Sequence, residues 1–350
     1  PSWTINNSLV KTQYDKYFGK LRKIWTERIS GSLIVIALSA LSTLGSLTSC
    51  RHKYLDFEQV PMTELDVVFD WSKAPDATPE SMAVYFYDTQ TRSEAKALRY
   101  DFPNKSGGEI KLPYSNYSAI ALNSDNTHWA HFRNSDDIDN FEIYTNESSH
   151  LPTSGLAIKS IPRARDTEDE VIVETPEMFW TARRDSLSLA PGDKRKTFTF
   201  YPEEGVCHYK VIVRNISNFS SIEGSAIDAT LSGMSGGFLH GSKQPTDSKC
   251  TLPFYLIKDE DTETLHGEFL TFGESPVTHN PHKLALYIIM SDGKRNLYSY
   301  DVAYQISKAK DPKHVTIIVD GLSLPTPVPD GGGINPSVSD WDSIDIDLQM

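Results

Sequence analysis

Cys50 is the residue whose chemistry the sequence predicts most directly, because its thiol closes the run Leu47-Thr48-Ser49-Cys50. A cysteine in this setting is the nucleophile that takes a diacylglycerol chain before a signal peptidase cuts the bond in front of it. Leu47 suits an apolar pocket of such a peptidase, and the small side chains of Thr48 and Ser49 let the enzyme approach the backbone. These four residues match the lipobox of a bacterial lipoprotein signal.

The residues ahead of Cys50 have the charge and hydrophobicity of a cleaved export signal. A basic region that includes Lys20 and Arg28 comes first, and an apolar stretch over residues 33–44 follows it. That stretch is shorter than the roughly 20 residues that a membrane-spanning helix needs, so we interpret it as a signal segment. We expect residues 1–49 to be leader and signal peptide. An ordinary signal peptide, or a buried first strand with a chance cysteine, is the alternative.

The charge of the chain limits its partners. It carries 34 basic and 47 acidic residues, a formal net charge of −13, and loss of the leader makes the body more negative. Such a body repels phosphates, so we expect no nucleic-acid partner and contact with a membrane only through the acyl chains at Cys50.

Two cysteines remain beyond the lipobox, Cys207 and Cys250. They could form one disulfide in an oxidising periplasm or stay as two buried thiols, since a body of this size does not need a covalent staple. The sequence leaves both states open.

The elements that would position any site are β-strands. Apolar and polar residues alternate with a period of two, in runs cut by Gly, Pro, Asn and Asp, and helical periodicity is scarce. The runs are 65–71, 82–87, 97–102, 109–112, 117–122 and 141–145, then 196–200, 208–213, 226–231, 252–257, 268–272, 283–290, 297–302 and 314–319. Asp292-Gly293 is typical of a tight hairpin turn between two of the later runs. The predicted fold class is all-β, with two tandem β-sandwich domains of Ig-like size.

Breaks in this pattern predict the organisation of the chain. The expected parts are a leader and signal peptide, a lipid-anchored linker, an N-terminal sandwich, a C-terminal sandwich and a tail, at residues 1–49, 50–61, 62–190, 191–323 and 324–350. The boundary rests on the turn Ala190-Pro191-Gly192-Asp193, after which the run 196–200 would open the second sandwich. The charged stretch 160–175 is expected to be a solvated loop or strand edge of the first domain.

The tail combines a hinge with a strand. Prolines and glycines between positions 325 and 333 form the hinge, and strict alternation resumes at Trp341. The residues on its apolar face are Ile344, Ile346, Leu348 and Met350. Such a segment suits strand addition to a neighbouring subunit, in which main-chain hydrogen bonds supply affinity and alternate side chains fill pockets. The same alternation is typical of the last edge strand of its own domain, so action in cis or in trans stays open.

Several short segments, in a fixed order behind the lipobox, carry a family resemblance. They are 65–71, 81–87, 107–113 and 117–123 in the first half, and 229–234, 269–273, 284–289 and 341–350 in the second. In this order they resemble the fimbrillin-like lipoproteins of the Bacteroidales, which include subunits and anchors of type V pili. The resemblance covers nearly all of the mature chain. It implies two transthyretin-like sandwich domains, lipid-dependent export, a role in pilus assembly or adhesion, and other fimbrial subunits as partners.

The resemblance also bears on the lipid. Pilus subunits of that family are released by cleavage after an Arg in the first strand region, whereas anchors keep their lipid. Between Cys50 and Arg92 this chain has only Arg51. An anchor, accessory or structural subunit is therefore expected, lipid-anchored at the outer membrane and facing either the cell surface or the periplasm.

Motifs for catalysis or metal binding are weak. Gly233-Met234-Ser235-Gly236-Gly237 matches a nucleophile elbow, but no helix follows it and we predict a turn. His128 with His131, and His279 with His282, lack a third ligand at a zinc-like spacing. We expect no enzyme activity, no metal, and no cofactor other than the acyl group.

A binding module is the alternative function. Four aromatic residues lie near predicted strand ends, where exposed rings could stack on sugars: Trp129, Phe132, Phe179 and Trp180. A surface lipoprotein that holds a glycan or host ligand is the second hypothesis, although core packing explains most of these rings.

Overall fold

The computed structural model describes residues 61–90, 96–193, 195–277, 281–327 and 341–346. The predictions for Cys50, for the lipobox residues Leu47, Thr48 and Ser49, and for Leu348 and Met350 lie outside the described residues. Strands make up almost all of the regular structure that is described, and the predicted all-β class is confirmed.

Eleven described strands precede residue 205. They are β1 (Met62–Phe69), β2 (Met82–Asp88), β3 (Leu98–Phe102), β4 (Gly107–Pro113), β5 (Asn116–Asn123), β6 (His131–Arg133), β7 (Glu142–Tyr144), β8 (Val171–Ile172), β9 (Trp180–Ser188), β10 (Lys196–Phe200) and β11 (Glu203–Glu204). Short 3₁₀ turns occupy Trp71–Lys73 and Ile158–Ser160.

Ten further strands and one short helix follow in the described residues. They are β12 (Cys207–Ser217), β13 (Ala226–Ser235), β14 (Gly237–Leu239), β15 (Gln244–Pro245), β16 (Lys249–Asp259), β17 (Thr264–Thr271), β18 (Lys283–Ile289), β19 (Arg295–Asp301), α1 (Ala303–Ser307), β20 (His314–Ser323) and β21 (Trp341–Ile346). A 3₁₀ turn at Phe219–Ser221 follows β12.

Two sheets form the first sandwich, one in the order β10-β1-β4 and the other in the order β11-β9-β5-β2-β3. β1 lies in the centre of the smaller sheet, parallel to β10 and antiparallel to β4. Because side chains alternate along a strand, Leu65, Val67 and Phe69 all point into the layer between the sheets. There they pack with residues of the opposite sheet such as Phe86. β1 is thus held on both edges and on one face.

The run 196–200 completes the first sandwich, where the sequence had placed it at the start of the second. β10 pairs with β1 in parallel from Leu65↔Lys196 to Phe69↔Phe200. Phe198 and Phe200 are buried in the core of the first sandwich. Alternation predicts a strand but not its partner, and these two rings fill the layer beside β1. The chain passes to the second sheet between β11 and β12.

The second sheet has the order β20-β12-β17-β16-β13-β18-β19-β21, with β8 also paired to β16. It curls around one core, because strands that are far apart in this order meet across it: the Tyr298 hydroxyl of β19 donates a hydrogen bond to the Ser323 carbonyl of β20 at 3.3 Å. Leu231, Leu286 and Ile317 are fully buried in that core. The β18–β19 hairpin turns at Asp292-Gly293 as predicted, with Gly293 at φ +79°.

The segment between β7 and β9 leaves the first sandwich and covers the outer face of the second sheet. Within it, β8 pairs in parallel with β16, and Leu151 and Ile161 pack against Tyr287 and Leu297. β6 and β7 also join β14 and β15 in a small four-stranded sheet. Most of the stretch 160–175 is an irregular loop with exposed charged side chains, as expected. It lies against the second sheet, however, and not at the edge of the first sandwich, and Glu170 is buried there.

Two buried carboxylates tie this segment to the second sheet. The Glu170 carboxylate accepts hydrogen bonds from the Thr251 hydroxyl at 2.7 Å and the Gly233 amide at 3.1 Å, and the Lys249 ammonium lies 3.2 Å away. From the sheet, the Asp228 carboxylate accepts hydrogen bonds from the amides of residues 153 and 154 at 2.7 and 2.9 Å. Main-chain amides thus compensate part of the cost of burying each carboxylate.

Replacing Glu170 with alanine should weaken the fold measurably. The substitution leaves the Thr251 hydroxyl and the Gly233 amide without this charged acceptor, and hydrogen bonds to charged groups contribute about 1.5–3 kcal/mol. We expect the free energy of unfolding in urea to fall by about 2–3 kcal/mol. The control is Glu168→Ala, two residues away on the exposed surface, which should change it by less than about 0.5 kcal/mol. Equal effects of the two substitutions would contradict this structural role of Glu170.

A buried histidine makes the fold sensitive to acid. His240 lies among the rings of Phe132, Phe141, Phe179 and Phe238, and its Nδ1 is 3.0 Å from the Thr181 hydroxyl. Burial lowers the pKa of His240 from 6.5 to about 3. Between these two pH values, His240 is protonated in the unfolded chain but not in the folded chain. The contribution of His240 to stability is complete above pH 6.5 and is lost as the pH falls toward 3.

We expect His240→Phe to reduce this acid dependence. One pKa unit corresponds to about 1.4 kcal/mol, so the loss of stability between pH 7 and pH 4.5 should shrink by about 2–3 kcal/mol. Urea unfolding at the two pH values measures it. His150→Phe, at an exposed position, should leave the difference unchanged. An unaltered acid dependence in His240→Phe would disprove the assignment.

Candidate functional site

The C-terminal strand β21 lies at the edge of the second sheet. It pairs in parallel with β19, from Arg295↔Trp341 to Tyr300↔Ile346. The strand therefore folds back onto its own chain in this structure, which is the cis arrangement. Within the described residues no strand pairs with its outer edge.

The side chains of β21 are only partly covered. The Trp341 ring packs edge-on against Tyr287, with centroids 5.4 Å apart, on the face covered by the β7–β9 segment. Ile346 packs against the main core on the other face, whereas Ile344 is 39% exposed. The Asp342 and Asp345 side chains are exposed, as is common where charges protect a sheet edge.

β21 is held mainly by its main chain. None of its six side chains is fully buried, whereas its neighbours in the sheet, β18 and β19, carry fully buried residues such as Leu286 and Tyr300. Segments with few buried apolar contacts open at low free-energy cost. By this criterion, β21 should open at a lower free-energy cost than the central strands of the sheet.

β1, in contrast to β21, is buried and is paired on both edges. Its core-facing residues Leu65, Val67 and Phe69 are at most 5% exposed, and it hydrogen-bonds on both edges. Its removal would open a slot between β4 and β10 and expose the core of the first sandwich. No Arg lies in β1, and none occurs between Arg51 and Arg92.

The segment with the nucleophile-elbow pattern is neither an elbow nor the predicted turn. Gly233, Met234 and Ser235 form the end of β13, beyond an irregularity in its pairing with β16. Ser235 is fully buried, and its hydroxyl lies 2.8 Å from the Gly237 carbonyl and 2.9 Å from the Thr246 carbonyl. A substrate has no access to this hydroxyl. The strand continues here because Met234 fills the main core.

The described histidines of the two pairs singled out in the sequence each have a different partner. His128 is exposed and lies 3.1 Å from Glu177, while His131 packs on the Tyr144 ring. His282 is buried beside Glu274, and His279 lies outside the described residues.

The aromatic residues of the glycan-binding alternative are mostly buried. Trp129, Phe179 and Trp180 are at most 8% exposed, and Phe132 packs against two small clusters that contain Phe141 and Phe179. Core packing therefore explains these three rings, as the sequence indicated for most of the four. Trp129 and Phe179 pack in a cluster with Phe238 of β14, and Trp180 packs with Ala74 and Ala77.

Both described cysteines are free thiols. Burial raises the pKa of the Cys207 thiol to about 11. The buried Cys250 thiol likewise has a raised pKa, again because of burial. Both groups therefore stay protonated and weakly nucleophilic at neutral pH.

One cluster of potential metal ligands was not predicted from the sequence patterns. β12 and β20 pair in parallel with His208 directly opposite His314, and the two rings stack with centroids 4.9 Å apart. The Glu204 carboxylate lies 3.1 Å from His208 Nε2. The two histidines stand 106 positions apart in the chain, so no local spacing could have indicated that they meet.

One curated protein is similar to this chain over much of its length. A protein named “Putative fimbrium anchoring subunit Fim4B” of Bacteroides ovatus is 23% identical over 229 residues, which cover 65% of this chain and 62% of that protein. The match thus spans less than two thirds of the length of Fim4B. Within the described residues of the present chain, no helix is long and apolar enough to cross a bilayer.

A solved structure with a TM-score above 0.5 indicates a shared fold. A Bacteroides ovatus protein described as a “putative adhesin” matches with a TM-score of 0.57 at 18% identity, over 77% of this chain and 96% of that one. The fimbrial anchor protein Mfa2 from Porphyromonas gingivalis matches with a TM-score of 0.47 at 12% identity, over 74% of this chain and 91% of that one. The resemblance to the fimbrillin-like proteins, predicted from the sequence, is confirmed. A family model described as “Domain of unknown function (DUF5119)” matches residues 49–255, more than half of the chain, and the chain therefore belongs to the DUF5119 family.

Proposed function

We propose that this protein is a lipid-tethered anchor or accessory subunit of a type V-like pilus at the outer membrane. Diacylglycerol on Cys50 holds the chain in the membrane, and β21 contacts another fimbrial subunit by strand addition. The role is adhesion and assembly, without catalysis. The name of the relative Fim4B, a fimbrium anchoring subunit, supports the proposal.

The observation that carries the proposal is the contrast between the two strands near the ends of the body. β1 is buried in the centre of a sheet, and its side chains are needed by the core. β21 lies at a sheet edge and has no fully buried side chain. An anchor keeps its first strand and its lipid, and needs one element that can reach a neighbour.

The sequence around β1 supports retention of the lipid. In the family that the chain resembles, pilus subunits lose their lipid by cleavage after an early Arg, and Arg51 is the only Arg here between Cys50 and Arg92. Cleavage after Arg51 would leave β1 intact. The family match begins at residue 49, beside the predicted first residue of the mature chain.

The structure favours no second function. The glycan-binding alternative depended on exposed rings, and Trp129, Phe179 and Trp180 are buried. A catalytic role for Ser235 is disfavoured because its hydroxyl is buried and bonded to main-chain carbonyls.

Radiolabelled palmitate and mass spectrometry of the mature N-terminus together test the proposal. We expect label in the wild-type chain, none in Cys50→Ala, and a mature protein that starts at Cys50. Protease shaving of intact cells then reports which side of the outer membrane the body faces. A mature start beyond Phe69, or a wild-type chain without label that partitions into the aqueous phase, would overturn the anchor role.

A further inference from the structure

We propose that Glu204, His208 and His314 form a binding site for one divalent transition-metal ion of the Zn²⁺ class, which joins the first sandwich to the edge of the second sheet. The site is independent of the pilus role proposed above. It rests on the arrangement of these side chains and of the groups around them.

The three potential ligand atoms already lie close together. One side-chain atom each from Glu204, His208 and His314 can be chosen so that all lie within 4.8 Å of one another. Ligands about 2.1 Å from a tetrahedral Zn²⁺ are about 3.4 Å apart, so small side-chain rotations suffice. The pair Glu204–His208, at 3.1 Å, is within this range before any rotation. Parallel pairing of β12 with β20 fixes the two imidazoles side by side.

A fourth residue orients one of the imidazoles. The Asp311 carboxylate lies 2.8 Å from His314 Nδ1. In the tautomer with its proton on Nδ1, His314 donates a hydrogen bond to this carboxylate. The Nε2 lone pair of His314 is then free for a metal. Carboxylate–histidine–metal arrangements of this kind are usual in protein zinc sites.

The neighbouring lysines do not compete for the Glu204 carboxylate. The Lys313 ammonium donates a hydrogen bond to the Glu204 main-chain carbonyl at 2.6 Å. Lys210 pairs with Glu268 at 2.8 Å. Among the described ion pairs, the Glu204 carboxylate has His208 as its only partner. A metal cation can therefore bind between these two side chains.

The donor set and the access route define the class of ion. Two imidazole nitrogens and one carboxylate oxygen suit Zn²⁺, Ni²⁺ or Cu²⁺, whereas Ca²⁺ and Mg²⁺ prefer oxygen ligands throughout. An open cavity of about 400 Å³ is lined by His208 and His314 and connects them to solvent. The fourth coordination position is left for water or for a group from a partner.

The position of the site indicates what the ion would do. Glu204 belongs to β11 of the first sandwich, while His208 and His314 belong to the second sheet. An ion bound to all three would cross-link the two bodies where the chain passes between them, and would tie down β20, the first strand in the order of the second sheet. A site of this kind would stiffen the junction between the two bodies.

Metal titration of the full chain, purified in detergent and freed of metal with EDTA, tests the site. We expect Zn²⁺ to bind with a stoichiometry of one by calorimetry and to raise the melting temperature, and Co²⁺ to give visible absorption typical of nitrogen and oxygen ligands. His208→Ala and His314→Ala should each weaken Zn²⁺ binding by at least tenfold. Asp311→Asn should weaken it by about 10–100-fold, as for other residues that orient a metal-bound histidine.

The control is His128→Ala, because His128 pairs with one carboxylate in the same way but is not part of any described cluster of three ligands. It should bind Zn²⁺ like the wild-type chain. Equal melting temperatures in EDTA show that the variants are folded; for any variant that melts earlier, the Co²⁺ spectrum of its folded fraction replaces the thermal readout. Wild-type affinity in His208→Ala and His314→Ala, or no saturable binding by the wild-type chain, would refute the site. A Co²⁺ spectrum with intense thiolate bands would also refute it, because it would assign the ion to Cys207 or Cys250.

Discussion

Deleting residues 344–350 should leave a folded protein that no longer enters fibres. The deletion removes half of β21, including Ile344 and Ile346, whose side chains are only partly covered. Burial of two such half-covered side chains contributes about 1–2 kcal/mol, so we expect only a loss of that size in the free energy of unfolding. The recovery of the chain in sheared, purified fibres should fall at least tenfold.

The control for this deletion is Ser343→Ala, a change on an exposed position of β21 that keeps the main-chain hydrogen bonds and the apolar row. It should be recovered in fibres like the wild-type chain. If the truncated chain is folded and assembles normally, β21 acts only as the last strand of its own sheet. Ile346→Asp gives an independent measurement with the strand at full length and should also reduce assembly.

We expect Val67→Asp to unfold the first sandwich. Val67 is 2% exposed in β1, and the carboxylate would lie between the two sheets among Phe86, Phe198 and other apolar groups. An uncompensated buried charge costs more than about 4 kcal/mol, a large part of the stability of a typical domain. Urea unfolding, or loss of solubility on expression, should report this directly.

Val68→Asp is a matched control one position away. Val68 is 37% exposed and points away from the core, so the same substitution should change the free energy of unfolding by less than about 1 kcal/mol. A similar loss in both variants would mean that β1 is unfolded in each for reasons of strand propensity. A small loss in both would mean that β1 is dispensable, which would remove the structural argument for an anchor that keeps its first strand.

These predictions separate retention of the first strand from exchange of the last one. Failure of the truncation experiment would leave β1 and the lipid at Cys50 untouched, and the protein could still serve as an anchor through another surface. Failure of the β1 experiment would weaken the anchor role even if β21 were needed for assembly. Both results are independent of the metal site at His208 and His314.

The local sequence pattern was sufficient to predict most strands. The runs 82–87, 117–122 and 283–290 coincide closely with β2, β5 and β18, and the hairpin at Asp292-Gly293 follows its local turn residues. β9 escaped this reasoning because Arg183, Arg184 and Asp185 interrupt its apolar pattern. It is nevertheless a strand because it lies between β5 and β11 and hydrogen-bonds to both.

The sequence by itself therefore determined the all-β class, the place of most strands and the hairpin turn, and it predicts an acylation signal at Cys50. The strands and the turn depend on residues close together in the chain, through backbone alternation and turn geometry, and the acylation signal depends on the segment from Lys20 to Cys50. Only the tertiary structure decided which strands meet. The pairing of β10 with β1, the burial of Glu170 under the β7–β9 segment, the cis position of β21 and the meeting of His208 with His314 depend on side chains far apart in the chain. Alternation predicts that a strand has an apolar and a polar face. Which surface covers each face depends on the rest of the fold.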